Sequence, residues 1–259
     1  MINLIKMDMR RMLRSPILYI FLGIVGVLNF AIIIGVTLVT NAIAPGVTQT
    51  MLLSDFIANP FYLQLFLVLP FVLAVGFSYT DIGSGYVKNL AGQLTNRSLM
   101  VGSKFVALGV QHLLFMLAGS LSGVIAALLM SATGAITLTD NGMMLAAIGT
   151  FVLKWLLMMG ITSLLMLISI GLRNKVLGVI LGVVFGTGTL SLAYMGINSG
   201  IESLLHVQSF DLGQFMPDAL FANVSVSAGT SVLNAVIVSA ICIIGFITLT
   251  SVLYNKRDI

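Results

Sequence analysis

Long apolar stretches alternate with shorter polar segments along the whole of the 259-residue chain. A helix needs about 20 mostly apolar residues to cross the hydrocarbon core of a bilayer, which is about 30 Å thick. Six stretches approach or exceed this length, and they cover residues 16–39, 60–77, 105–130, 145–172, 176–195 and 232–253. The pattern predicts an all-α integral membrane protein with six transmembrane helices in a single transmembrane domain, residues 1–259.

The first 15 residues show a different pattern, in which basic and apolar side chains follow helical spacing on separate faces. Lys6, Arg10 and Arg14 recur at every fourth position, and Arg11 adds a fourth positive charge. This spacing predicts an amphipathic helix in the membrane interface. Two interpretations stay open: the helix only lies on the anionic cytoplasmic surface, or it also braces a cytoplasmic partner.

Residues 196–231, between the fifth and sixth apolar stretches, mix apolar side chains with Ser, Asp and Gly, and Pro217 divides them. The apolar parts are too short to cross a bilayer and too apolar for open water. We therefore expect a re-entrant helical segment that packs on the rest of the protein. The open alternative is an extracellular cap with no role in transport.

The composition narrows the class of protein further. Apolar residues make up 59% of the chain and charged residues only 8%, whereas a soluble domain carries about 25% charged residues. This excludes a soluble globular enzyme and a disordered regulator. The single cysteine, Cys242, excludes a disulfide framework within the chain.

Basic residues are confined to alternate segments between the predicted helices. Eleven of the twelve Lys and Arg residues lie before the first span, after the last, or in the segments that follow spans two and four. The three other segments contain no basic residue. The positive-inside rule therefore places both termini in the cytoplasm of a multi-pass protein of the cell membrane. The net charge of +4 thus indicates membrane topology and not nucleic-acid binding.

The twelfth basic residue, Lys154, falls within the fourth apolar stretch. The 18 uncharged residues from Trp155 to Leu172 are long enough to cross alone. We therefore expect Lys154 to extend to the outer interface beside Trp155. The alternative is a cation that faces a cavity on the substrate path and meets a substrate carboxylate.

Three glycines recur at every fourth position of the fifth stretch, at Gly178, Gly182 and Gly186. Such a face lets two helices approach closely in a membrane. We expect a packing face here, and we favour a dimer interface with a second protomer over contact within the chain.

No enzyme motif is present, and no catalytic residue is predicted. The chain lacks a phosphate loop, an H-E-x-x-H zinc motif and a G-x-S-x-G motif. The two histidines, His112 and His206, are predicted on opposite sides of the membrane, so no shared metal site is expected. No Asp or Glu lies within a predicted span, which argues against an ion-coupled carrier. Any energy source would then be an ion gradient or another subunit.

The ordered set of these features resembles the ABC-2 family of ABC-transporter permeases over the whole chain. The leader KMDMRRMLRSP runs into the first span, and the loop DIGSGYVKNLAGQLTNRSLMVGSKF follows the second. A long segment of mixed polarity separates the last two spans. Permeases of bacterial peptide handling, such as lantibiotic-immunity and phenol-soluble-modulin exporters, are the most similar in pattern. Asn96 is a departure, because many family members have Pro or Ser before the loop arginine.

The resemblance implies a role as the permease subunit of an ATP-driven exporter. A separate ABC ATPase would bind ATP and Mg²⁺, a second permease protomer would complete the path, and this chain would bind no cofactor. The cytoplasmic loop would couple to the ATPase through Asp81, Gly85, Lys88, Arg97 and Lys104. The substrate would be an amphipathic peptide or a lipid-like molecule. The alternative is a non-transporting membrane immunity or scaffold protein that sequesters a peptide.

Overall fold

A computed structural model of the chain describes residues 2–43, 49–83, 98–139, 142–205, 211–227, 229 and 231–256. The helices in these ranges are α1 (Ile2–Leu13), α2 (Pro16–Ile43), α3 (Leu53–Ala58), α4 (Val68–Gly83), α5 (Ser98–Ala132), α6 (Met144–Met166), α7 (Lys175–Thr187), α8 (Leu190–Leu205), α9 (Pro217–Asn223) and α10 (Val232–Lys256). Two strands, β1 (Gln49–Leu52) and β2 (Ile136–Thr139), and short 3-10 or π turns at Gln64–Leu67, Leu167–Gly171 and Leu212–Phe215 complete the described elements.

Long apolar helices dominate the fold. Within the described ranges, five helical segments have the length and hydropathy needed to cross a membrane. These segments are Pro16–Ile43, Gln64–Gly83, Ser98–Ala132, Met144–Gly171 and Val232–Lys256, and each includes any short 3-10 or π turn at its end. A bent pair, α7 with the first part of α8, makes a sixth when it is counted as one span. The chain is thus an all-α membrane-type protein.

The fifth predicted span, residues 176–195, is not a straight helix. α7 ends at Thr187, and α8 continues at an angle of 76°. Gly188 causes the break, because it adopts the left-handed conformation, with φ of +70°. The Gln64 side chain also lies where a Cβ atom of residue 188 would be, 2.6 Å from its Oε1. The glycine therefore satisfies both the backbone turn and the packing.

The two ends of the helix bundle differ in the secondary-structure elements that lie there. At one end, which we call the sheet end, β1 and β2 pair in parallel from Gln49 opposite Ile136 to Leu52 opposite Thr139. The helices α3 and α9 lie at this end and pack against α6. At the opposite end, which we call the α1 end, α1 packs along the start of α5.

The predicted glycine stripe is an internal packing face. Gly178 and Gly182 lie against Val75 and Phe71 of α4, and a Cβ atom at Gly186 would lie 2.5 Å from the Val68 nitrogen. The dimer interface that we favoured for these glycines is therefore wrong, because α4 of the same chain covers the face. The close approach joins α7 to α4 along most of its length.

A buried amide joins α2 to α5 in the middle of the bundle. The Asn29 Nδ2 donates to the Gly119 carbonyl at 3.0 Å and to Ser122 Oγ at 3.0 Å, and its Oδ1 accepts from the Tyr62 backbone N–H at 2.9 Å. A polar side chain in an apolar interior is stable only when its hydrogen bonds are made. Asn29 therefore fixes the position of the chain that leads from α3 into α4.

Candidate functional site

Four charged side chains meet at the α1 end, and we call them the charge cluster: Asp8, Arg11, Asp81 and Lys104. The Lys104 Nζ lies 2.6 Å from Asp81 Oδ2 and 3.7 Å from Asp8 Oδ1. The Arg11 Nη1 donates to Asp81 Oδ1 at 2.7 Å. The cluster therefore joins α1, α4 and α5 through charged contacts.

The surroundings of the charge cluster exclude most water. Asp8, Asp81 and Lys104 are buried, whereas the Arg11 side chain reaches the surface. Ser103 Oγ donates to Asp8 Oδ2 at 2.6 Å, and the Lys104 ammonium lies 4.8 Å from the centre of the Phe77 ring. Buried charges are tolerated when they are paired and hydrogen-bonded. Two acids and two bases meet here, so the charges balance.

The sequence located only part of this cluster correctly. It assigned Asp81 and Lys104 to a cytoplasmic loop, but α4 extends to Gly83 and α5 begins at Ser98, so both residues belong to helices. Both are buried, so neither is exposed for direct contact with a partner. Asp8 was missed, although it is the only acidic residue in the basic leader. Gly85, Lys88 and Arg97 lie outside the described residues.

The basic side chains of α1 face outward, as the amphipathic pattern predicts. Lys6, Arg10 and Arg14 are exposed and line an open groove together with Arg11. On the opposite face, Asp8 and Met12 are buried against α5. The helix therefore shows one charged surface to its surroundings and attaches to the bundle through the other.

A second site lies at the sheet end, where a cavity of about 500 Å³ extends into the bundle. Its walls come from α2, β1, α3, α5, α6 and α9. Just over half of the lining residues are apolar or aromatic, including Phe56, Phe61 and Phe221. The others are polar or charged: Asn29, Thr37, Thr50, Asp55, Asn59, Gln64 and Lys154. Ligand pockets in proteins commonly have a volume of about 300–1,000 Å³ and this kind of lining.

Lys154 is the buried cation of this cavity. The residue is only 4% exposed, its Nζ donates to Asn59 Oδ1 at 2.6 Å, and it lies 5.3 Å from the centre of the Phe221 ring. Asn59 follows α3 directly, so this short helix brings the amide to the ammonium group. Asp55 also lines the cavity, but it is exposed and forms no ion pair with Lys154.

The expected extension of Lys154 to the outer interface is therefore wrong, because its side chain is buried in the wall of a cavity; its role on a substrate path stays a prediction. The neighbouring Trp155 is half-buried, and its Nε1 donates to the Gly109 carbonyl of α5 at 2.9 Å. Sequence reasoning failed here because α3 and the residues after it turn back into the bundle and surround Lys154. The sequence shows a lysine in an apolar stretch followed by the single tryptophan, and neither residue indicates that α3 covers the lysine.

A third polar contact orders the segment between α8 and α10. The Tyr194 hydroxyl donates to Asp218 Oδ1 at 2.9 Å, which links α8 to α9. Asp218 is buried at the start of α9, and burial raises the pKa of its carboxyl above the ordinary value. This segment is thus held by specific contacts, although its re-entrant placement in a membrane stays a prediction.

No metal centre is evident at either site. Within the part of the chain that the structure describes, no three His, Cys, Asp or Glu side chains form a group able to hold a metal ion. His112 is buried and its Nε2 lies 2.5 Å from the Thr162 hydroxyl, so this imidazole serves packing between α5 and α6.

Comparisons with protein-family models, curated proteins and solved structures found no match.

Proposed function

We propose that the chain is the permease subunit of an ATP-driven ABC exporter in a bacterial cell membrane. A separate ATPase would supply the energy, a second permease protomer would complete the path, and an amphipathic substrate would leave the cytoplasm. The proposal includes a cytoplasmic location for both termini, since every described Lys and Arg outside the cavity lies at the α1 end.

The observation that carries the proposal is the charge cluster at the α1 end. Asp81 and Lys104 belong to the two helices that flank residues 84–97, and Arg11 and Asp8 attach α1 to both. A force on this intervening loop would therefore reach α1, α4 and α5 together. Rigid-body motion of packed elements is a common way to pass a local change to a distant site.

The internal packing extends this unit toward the sheet end. α4 is joined to α7 through the glycine face, and α5 is joined to α2 through Asn29. The cavity walls include parts of α2 and α5. A displacement that starts at the charge cluster would thus change the shape of the cavity, which is the coupling that an exporter requires.

The test is co-purification of an ATPase from native membranes in mild detergent, followed by transport and ATPase assays. The variant with both Lys88→Glu and Arg97→Glu reverses the charge of the predicted coupling loop. We expect it to lose most of the bound ATPase, because docking on a basic loop depends on opposite charge.

The matched control reverses two basic residues at the same end, Arg173→Glu just before α7 and Lys175→Glu at its first residue. The change in charge equals that of the loop variant, and both residues are exposed, so no buried side-chain contact is removed. If the loop variant retained its ATPase and transport like this control, the coupling role of the loop would be refuted.

The second candidate function is a membrane immunity or scaffold protein that sequesters a peptide without an ATPase. The position of the cavity favours it, because the opening lies among the segments of the sheet end, which the proposed topology puts outside the cell. Protection against a peptide that persists after ATP depletion, in a chain that purifies alone, would support this candidate over the exporter.

A further inference from the structure

The two buried lysines of the chain have nearly the same surroundings but different partners. Lys104 and Lys154 are each 4% exposed, and each lies over an aromatic ring, at 4.8 Å from Phe77 and 5.3 Å from Phe221. Each has one side-chain oxygen at 2.6 Å from its Nζ. For Lys104 that oxygen belongs to the Asp81 carboxylate, whereas for Lys154 it belongs to the neutral amide of Asn59.

The difference leaves one positive charge uncompensated. Removing an ammonium group from water is costly, and in proteins a paired anion usually offsets the cost. Among the described residues no carboxylate oxygen lies within 4 Å of the Lys154 Nζ, and the exposed Asp55 carboxylate at the rim makes no such pair. An amide oxygen accepts one hydrogen bond from an ammonium group that has three donors.

The remaining donors of Lys154 face a cavity that can hold a ligand. The cavity has a volume of about 500 Å³, and its apolar walls include Met51, Phe56 and Phe61. This volume suits a molecule of drug size and excludes a folded partner. A ligand with one negative charge would neutralise Lys154, and an apolar body would fill the rest.

We infer that the sheet-end cavity is a binding site for a monoanionic amphiphile, whose carboxylate-like head pairs with Lys154 beside Asn59 and whose alkyl part packs on the aromatic walls. The inference depends on the proposed function only for the statement that this ligand is the transported substrate. Binding to the purified chain tests the site without any ATPase, so the two ideas can fail separately.

The binding test uses the full chain in nanodiscs of zwitterionic lipid, with dodecanoate as the probe. Dodecanol, of equal chain length but without charge, is the comparison ligand, and dodecyltrimethylammonium carries the opposite charge. We expect dodecanoate to bind at one per chain and dodecanol at least about tenfold more weakly, as the loss of a charged hydrogen bond predicts. The cationic probe should not bind measurably.

Two variants locate the site, and a third is the control. Lys154→Met removes the charge and keeps an apolar chain of similar length. Asn59→Asp supplies an internal carboxylate at the position of the present amide, so Lys154 would become paired like Lys104. Both should weaken dodecanoate binding by about tenfold or more, because each removes the unpaired charge. Lys175→Met, at an exposed position of α7, should bind like the unaltered chain.

The Asn59→Asp variant keeps the test decisive even if Lys154→Met folds poorly. The new ion pair should preserve or raise the thermal stability of the chain while binding is lost. Equal binding of dodecanoate and dodecanol, or unchanged dodecanoate affinity in Asn59→Asp, would overturn the inference. Binding of an amphipathic peptide with a free carboxyl terminus, without binding of dodecanoate, would overturn it in favour of a peptide site.

The source of the amphiphile is resolved by the lipid composition of the nanodiscs. If phosphatidylglycerol competes with dodecanoate in the unaltered chain but not in Lys154→Met, the site takes anionic lipid heads from the bilayer. If it does not compete, the site takes the free carboxylate. Both results support a monoanionic ligand at Lys154.

Discussion

Single buried polar residues determine much of what this protein can do, and they divide into two kinds. Asn29 and His112 are neutral and make hydrogen bonds that join helices, which offset part of their cost of burial within the fold. Lys154 makes one hydrogen bond to a neutral group, and its charge is left for a ligand. The distinction depends on the charge of the buried side chain itself and not on the degree of burial, because the partners of all three residues are neutral.

A pH-dependent contribution to stability is expected from Asp218. Burial raises the pKa of this carboxyl above its ordinary value of 3.8, so the folded chain holds the proton more tightly than the unfolded chain. Stability should therefore fall as the pH rises from about 3.8 through the raised pKa of the folded state, and then become constant.

The Asp218→Asn variant removes this penalty and keeps an acceptor for the Tyr194 hydroxyl. We expect its midpoint of thermal unfolding to exceed that of the unaltered chain at pH 7. Each kcal/mol gained in the free energy of unfolding should raise the midpoint by about 2–4 °C. The difference should shrink as the pH falls toward 4. Thermal melts at several pH values measure this, and a difference that is constant with pH would contradict the assignment.

At the scale of elements, the contact between α4 and α7 leaves no room for an added methyl group at Gly186. A Cβ atom at Gly186 would lie 2.5 Å from the backbone nitrogen of Val68, which cannot move without shifting α4. We expect Gly186→Ala to destabilise the chain by about 1–3 kcal/mol, as overpacking typically does.

Gly26→Ala provides the matched control for this prediction. Gly26 lies in the middle of α2, where an added Cβ atom meets nothing within 4 Å. Alanine is favoured over glycine in an open helix position, so this change should be neutral or slightly stabilising. Thermal unfolding of both variants in the same detergent is the measurement, and equal midpoints would show that the α4–α7 contact is not tight.

At this scale, sequence reasoning succeeded for the features that depend only on neighbouring residues in the chain. The length of an apolar stretch is a local property, so five of the long helices could be predicted, although α4 extends beyond the expected end of its span to include Asp81. The break at Gly188 could not be predicted, because the glycines at 178, 182, 186 and 188 look alike in the sequence. Only the folded chain shows that residue 188 has a positive φ and lies against Gln64.

The candidate sites were harder to predict than the helices, because they are assembled from distant segments. Asp8, Asp81 and Lys104 come together only through the packing of α1, α4 and α5. Asn59 and Lys154 are likewise 95 residues apart. The sequence identified Lys154 as an unusual cation, and the family resemblance pointed to Asp81 and Lys104, but the partner of each could be found only in the folded chain.

For the whole molecule, the proposed orientation places the α1 end in the cytoplasm and the sheet end outside. Cysteine labelling in intact cells tests this in a Cys242→Ser background. A cysteine at the exposed Thr137 of β2 should react with a membrane-impermeant thiol reagent, whereas one at the exposed Lys175 should react only after the cells are opened. Labelling of both, or the reverse pattern, would contradict the orientation.

The break after α7 has a consequence for the lipid around the protein. α7 has 13 residues and is therefore about 20 Å long, which is about 10 Å less than a bilayer core. Beyond it, α8 turns away with Leu192 and Met195 exposed to their surroundings. In the proposed membrane placement, we expect the bilayer to thin at this flank to accommodate the hydrophobic mismatch. An exported amphiphile would then have the least hydrocarbon to cross there.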